Sequence, residues 1–265
     1  MRWTHRIAVG LLLGLDAWSG LLVAQERLPN VRVSAKSPCE IHPETALETA
    51  DLWIAAREAL QSASDTTGTP PTLLIQEWRR TLDPRMRLRW ERRDTARVTT
   101  FHPFEKPQPS LERAGYIQRQ GWNTVYYGPD SGLLLSEWFL RRHCFSRIAG
   151  YGGTTGLVGL GFEPLPGTRQ TDVAGVLWID PVRGELRHVE YGWTNPPEEA
   201  RAVGVGGRAD FVRLISGGWI VQRWNIRMPH PRPELDDSFD GYTDQGGEVV
   251  AVGTRKAKAS KKVKP

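Results

Sequence analysis

The chain has 265 residues, with 35 Lys and Arg against 30 Asp and Glu, 39% apolar residues and 25% charged ones. This balance is that of an ordinary globular protein and excludes a bundle of membrane-spanning helices, a collagen and a wholly disordered chain. The formal charge of +5 raises nucleic acid as a partner, but with the six cations of residues 255–265 and Arg2, Arg6 and Asp16 of the first 24 residues set aside, 27 bases stand against 29 acids. The excess therefore sits at the chain ends, and no nucleic-acid partner is expected.

Arg2 and Arg6 precede an apolar stretch, residues 7–24, interrupted by Asp16 and closed by Ala24 before Gln25. A positive start, a short apolar core and a small residue at the end describe a secretory signal peptide, residues 1–24. The rival is an uncleaved anchor helix. The stretch is about 18 residues, at the lower edge of a bilayer span, and Asp16 near its centre costs an inserted helix about 2.5–3.5 kcal/mol. Both facts favour cleavage. Residues 25–38 form a linker, 39–252 one β-rich domain, and 253–265 a Lys-rich tail whose composition predicts disorder.

Export makes the two cysteines informative. Cys39 and Cys144 are the whole complement of a chain bound for an oxidising compartment, which predicts a structural disulfide. Closing a loop of about 105 residues would stabilise by ~4–5 kcal/mol in the chain-entropy model. The rival takes His143-Cys144 as half of a thiol active site. Adjacent residues on a strand point to opposite faces, so His143 is badly placed to activate Cys144.

Pro43 opens a helix through Leu60, with Glu44, Glu48 and Asp51 in its N-terminal half. Leu47, Ala50, Ile54 and Trp53 or Arg57 follow a 3.6 period, so this stripe is expected to cover one face of a sheet. Residues 62–71, with Gly68, Pro70 and Pro71, read as a loop. Residues 73–82 and 86–91 alternate apolar and polar side chains around Asp83-Pro84-Arg85, which predicts a hairpin with one wet face. The stretch 79–97 is dense in arginine and offers a phosphate-binding reading. The arginines alternate with apolar residues and are interleaved with Glu77, Asp83, Glu91 and Asp94, so a solvated sheet face is the better one.

Ser110 caps a short helix that Gly115 ends, and residues 116–120 and 124–127 flank a turn in a second hairpin. A short helix follows around Ser136–Arg142. Residues 156–164, 173–180, 185–193, 208–214 and 219–228 are then five strand candidates joined by short turns, hence an antiparallel meander. In the last of them Val221, Arg223, Asn225 and Arg227 share one face. Residues 248–252 are a further strand candidate after the acidic stretch Glu234 to Asp240. The fold class is α+β, mainly β: a curved, half-barrel-like antiparallel sheet with an N-terminal helix and one or two short helices packed on it.

The run Gly175-Val-Leu-Trp-Ile-Asp-Pro-Val-Arg-Gly-Glu-Leu-Arg-His-Val-Glu-Tyr191, followed by Thr194-Asn-Pro196, resembles the strand-turn-strand repeat of outer-membrane lipoprotein carriers. That resemblance implies an unclosed antiparallel barrel lidded by helices. Cys39 with Leu52–Leu60, His143-Cys-Phe145, Leu157–Pro164, Trp219–Pro229 and Gly246–Val252 together resemble bacterial secreted proteins of the carboxypeptidase-regulatory-like domain-containing kind. The resemblance spans residues 31–252. A transthyretin-like sandwich often precedes this region in such proteins. Here few residues separate the signal from Leu28–Val33, so that module is expected to be absent and its properties do not carry over. The family label implies no peptidase activity.

The residues carry no catalytic motif and no cofactor motif. The six histidines are scattered, and His188 with Glu190, two apart on one strand, supply at most two metal ligands and read as an exposed sheet pair. Gly150–Gly156 lacks the Lys-Ser/Thr of a phosphate loop and reads as a glycine-rich hairpin. Nine tryptophans follow the signal: Trp53, Trp78, Trp90, Trp122, Trp138, Trp178, Trp193, Trp219 and Trp224. Most should fill core, while Trp78, Trp90, Trp178 and Trp224 are the candidates to line an apolar cleft.

The function expected is an exported, non-enzymatic binding or envelope-assembly module, in the periplasm or at the outer-membrane periphery, holding an apolar ligand such as lipid or a segment of another envelope protein. The alternatives are an envelope hydrolase acting on peptide or glycan, and a structural protein whose sheet edge pairs with a partner strand. Arg255, Lys256, Lys258, Lys261, Lys262 and Lys264 would give the tail an electrostatic contact with anionic membrane. The exported protein is expected to begin at Gln25. Mass spectrometry showing an intact Met1 end would establish the anchor instead.

Overall fold

The computed structural model describes residues 39, 43–65, 67, 70–100, 111–121, 123–215, 217–231 and 239–253. The expected signal, linker and tail from 254 on, Ser110, Trp122 and the acidic stretch 234–237 lie outside the described residues. In chain order the elements are α1 (Pro43–Ser64), β1 (Thr72–Leu82), β2 (Leu88–Thr99), α2 (Leu111–Ala114), β3 (Ile117–Gln120), β4 (Asn123–Tyr126), α3 (Ser131–Leu134), α4 (Glu137–Arg142), β5 (His143–Ala149), β6 (Val158–Pro164), β7 (Asp172–Asp180), β8 (Glu185–Thr194), β9 (Gly206–Arg213), β10 (Trp219–Pro231) and β11 (Phe239–Gly253).

β5 to β11 run as an antiparallel meander, and β1 then pairs with β11 while β2 pairs with β1. The result is a nine-stranded open sheet ordered β2-β1-β11-β10-β9-β8-β7-β6-β5, with β2 and β5 at its edges. The mainly-β architecture with an N-terminal helix on an unclosed sheet is as the residues predict. β3 and β4 form a separate hairpin. It is tied to the sheet by Trp193, whose Nε1 donates to the carbonyl of Tyr127 at 2.8 Å, and by the Tyr116 N–H, which donates to Thr171 at 3.2 Å.

Two expectations are corrected here. First, α1 buries the other stripe. Ala56, Ala59 and Leu60 are fully buried and Ala63 nearly so, whereas Leu47 and Ile54 are 79% and 58% exposed and Ala50 is exposed. Both stripes have the helical period, so periodicity alone cannot choose between them. The alanine stripe wins because small side chains let the helix backbone approach the sheet, where Leu160, Leu177, Val189, Phe211 and Val221 complete the cluster. Second, the last strand is Phe239–Gly253, not 248–252, and it pairs along both sides. Local alternation is hidden there by the bulge beside Ile75 and by Gly246 and Gly247, which carry no side chain to mark a face.

Side chains cap both short helices α3 and α4. The Asp130 carboxylate accepts from the Leu133 N–H at α3, and the Ser136 hydroxyl accepts from Phe139 at α4. In the β1–β2 turn the Asp83 carboxylate accepts from the N–H groups of Arg85 and Arg87, at 2.9 and 2.8 Å, and pairs with the Arg87 guanidinium. Cys39 and Cys144 are joined in a disulfide with Cα atoms 5.1 Å apart. The bridge fastens the start of α1 to edge strand β5, where the Glu48 carboxylate also meets Arg147 at 3.0 Å. Replacing both cysteines with Ser is expected to lower the unfolding free energy by about 4 kcal/mol, the chain-entropy value for a loop near 100 residues. A denaturant titration of the double variant against the oxidised protein checks this.

Candidate functional site

The sheet has two faces with different chemistry. One face, under α1, α3 and the β3–β4 hairpin, is apolar. The opposite face carries the buried charges of Glu190, Arg227 and Asp244, and the strand registers show how they meet. Glu190 on β8 lies opposite Arg208 on β9, Arg208 opposite Asn225 on β10, Asn225 opposite Gly246 on β11, and Gly246 opposite Trp78 on β1. One step along, Arg227 lies opposite Asp244, Asp244 opposite Arg80, and Arg80 opposite Glu91. Residues from seven strands, β7 included, thus form one polar ladder.

The ladder repeats one unit, an indole N–H and an arginine sharing a buried carboxylate. Trp178 Nε1 donates to Glu190 Oε2 at 3.3 Å, and Arg208 Nη1 donates to Glu190 Oε1 at 2.8 Å. At the other end Trp78 Nε1 donates to Asp244 Oδ1 at 3.0 Å, while Arg227 donates to Oδ2 through Nε and Nη2 at 3.2 and 3.0 Å. Asn225 Nδ2 adds a further bond to Asp244 at 3.2 Å. Glu190 and Asp244 are 3% and 2% exposed. Buried carboxylates are tolerated only with such partners. Arg80 and Arg223 lie over the Trp78 ring, 5.1 and 5.5 Å from its centroid.

Burial pushes the Glu190 carboxyl up, but the neighbouring His188 ring, the Arg208 charge and the Trp178 N–H outweigh it and hold the group below its ordinary 4.5. His188 Nε2 lies 3.4 Å from Glu190 Oε1 but off the line of a hydrogen bond. His188 and Glu190 were expected as an exposed pair. They are buried, because Trp178 lies beside them and the ladder continues through Arg208. Among the described residues no group of three or more His, Cys, Asp or Glu is close enough to hold a metal ion. His143, on the other hand, sits in the core with its ring stacked on Phe139 and its Nε2 3.3 Å from Asp172. The neighbouring Cys144 is in the disulfide.

The four candidate ligand-lining tryptophans do not meet in one groove. Trp178 is 1% exposed, flanked by Tyr151 edge-on at 6.0 Å. Trp78 and Trp224 stand on opposite faces of the sheet, over Gly246 and Gly247 respectively. A Cβ on Gly246 would lie 2.5 Å from the Trp78 ring, and one on Gly247 would lie 2.3 Å from that of Trp224, so both glycines are needed for the indoles to lie flat. Trp90, 49% exposed, stands on edge strand β2. A shallow open depression of about 310 Å³ is lined by Ile117, Arg119 and Thr124 of the hairpin with Thr171, Asn195 and Pro197, and holds none of the four.

Asp244, Arg208 and Arg227 escaped the sequence reading as a group. The available signal was the polar alternation Arg223, Asn225, Arg227, whose partners lie on strands distant in the chain. The remaining distinctive surface is β2. All of Leu88–Thr99 is exposed except Glu91 and Val98, which are half-buried, and among the described residues only β1 pairs with it. Comparison with models of protein families, with curated proteins and with solved structures finds no match.

Replacing Glu190 with Gln keeps the shape but removes the carboxylate charge beside Arg208. The expected loss is about 2–3 kcal/mol of unfolding free energy at neutral pH, the range for hydrogen bonds to buried charged groups. Because the folded-state value of Glu190 lies below 4.5, its contribution is present above that pH and is lost as pH falls below it. The variant's stability should accordingly fall less steeply than the parent's below pH 4.5. Urea titrations of both proteins across pH 3 to 7 test this, and parallel curves would dismiss the assignment.

Proposed function

We propose that this is an exported, non-enzymatic protein of the cell envelope that works by binding a segment of another envelope protein along its open sheet. The observation that carries the reading is β2, a long strand exposed on both faces with nothing paired to its outer edge among the described residues. An unpaired edge presents a row of N–H and C=O groups able to template another strand. Burial of the aromatic side chains also favours a protein segment over an apolar ligand. Trp178, Trp193 and Trp219 are committed to packing, and the sheet face under α1 is covered by Ala56, Ala59, Leu60 and their neighbours. Export rests on the charged start and apolar run of residues 1–24, and on a disulfide of the kind oxidising compartments keep. The resemblance to secreted carboxypeptidase-regulatory-like proteins agrees with that compartment.

Native mass spectrometry of the protein purified from its own envelope tests this reading. The expected spectrum contains the chain together with a second protein. Bound lipid without a second protein would replace it with the lipid-carrier reading.

A further inference from the structure

The outer edge of β2 has a chemistry of its own. Arg89, Arg92, Arg93 and Arg97 face only Glu91 and Asp94 on the same strand. Some of this charge is used locally: Arg93 pairs with Glu91 at 2.9 Å, Arg92 with Asp94 at 2.8 Å, and Arg89 with Asp240 of β11 at 3.2 Å. Glu91 is itself shared, since Arg80 of β1 takes the same oxygen at 2.8 Å. Arg97 pairs across β1 with the apolar Leu74, and Arg92 lies directly opposite Arg79, a like-charge pair. The strand and its neighbour therefore present surplus positive charge beside backbone groups that are unpaired among the described residues. At the turn end the surface becomes apolar, with Leu88 and Trp90 54% and 49% exposed.

Resting on the binding function proposed above, we infer that β2 takes an extended, acidic segment of a partner protein as a tenth strand. Main-chain hydrogen bonds hold the segment, alternate side chains contact the two faces of β2, and acidic residues meet Arg92 on one face and Arg97 on the other. Trp90 shares a face with Arg92, because the two are two residues apart on the strand, and supplies an apolar flank beside that cation. Charge decides against a second copy of this chain as occupant. Edge-to-edge pairing of two β2 strands would bring eight arginines against four acids, whereas an acidic strand relieves the surplus. Arginines on an edge also deter promiscuous strand addition, so the edge selects by charge whichever strand it admits.

The test uses the full mature chain and a synthetic peptide of about twelve residues, the length of β2, alternating Glu with Val and Thr. Amide exchange of the outward N–H groups within residues 88–99 should slow by about tenfold or more on addition of the peptide. Binding should weaken by about tenfold or more for the same peptide with Lys in place of Glu, and for protein carrying Arg92→Glu with Arg97→Glu. Both substitutions are at exposed positions, and an unchanged denaturation midpoint certifies the fold. Equal binding of both peptides, or no slowing within 88–99, overturns the inference. Slowing produced by phosphatidylglycerol vesicles and by neither peptide overturns it in favour of a membrane surface. If the double variant keeps its native partner in the mass spectrum, the edge assignment fails while the binding function stands; if no partner protein appears for the parent either, the function itself fails.

Discussion

β1 enters the sheet beside β11, the last strand, so that residues 72–82 pair along 242–253. This one long-range pairing organises the molecule. It requires the chain to travel from the β5 edge, where Cys39 is bridged to Cys144, to the far side of β10, where the Ser62 hydroxyl accepts from the Trp219 N–H at 2.9 Å. α1 makes that crossing. Its 22 residues rise about 33 Å, and the five strand spacings from β5 to β10 come to about 24 Å, so a helix of this length spans the sheet on a slant. The helix that connects the two ends of the sheet is thereby the element that covers its apolar face. The strand left outermost is β2.

The same pairing completes the polar ladder. Without β1 beside β11, Asp244 would keep Arg227 and Asn225 but lose the Trp78 N–H and the nearby Arg80 charge. Two large indoles, Trp78 and Trp224, then need room on opposite sides of adjacent residues of β11. Gly246 and Gly247 supply it at some cost in strand propensity, which the packing of the rings offsets. Charge burial and ring packing are in this way two aspects of one strand junction. The Glu190 end of the ladder is built differently, from three strands consecutive in the chain. Its contacts are local in topology and do not depend on the terminal strands meeting.

Elements whose evidence is local were legible in the sequence. The meander β6–β10, the β3–β4 hairpin, the short helix α4 and the Asp83 turn all follow from periodicity, short connections and turn residues close in the chain. The cysteine pairing was legible because only two were present. What could not be read was which of two periodic stripes on α1 faces inward, since Leu47, Ala50 and Ile54 are as regularly spaced as Ala56, Ala59 and Ala63. Only the sheet beneath, with its large side chains Leu177, Val189 and Phe211, makes the smaller stripe the better fit. The candidate site was half legible for the same reason. His188 and Glu190 could be placed on one strand face, and so could Arg223, Asn225 and Arg227, but their apposition depends on registers between strands, which no single strand encodes.

The arginines that the composition counts together are placed differently in the sheet. In the stretch 79–97 the residues look alike, yet they occupy three environments. Arg80 lies over Trp78 and pairs with Glu91; Arg87 is held by the Asp83 turn; Arg92 and Arg97 stand on an outer strand with few acids near them. A phosphate-binding stripe needs its cations to converge on one surface. Here the strand twist and pleat divide them between the two faces, and the innermost are neutralised by carboxylates of the sheet. The charge left over follows the edge of β2, along which run main-chain groups that are unpaired among the described residues. A rod of nucleic acid would use the charge and leave those groups idle, whereas a polypeptide strand bearing acids at alternate positions uses both.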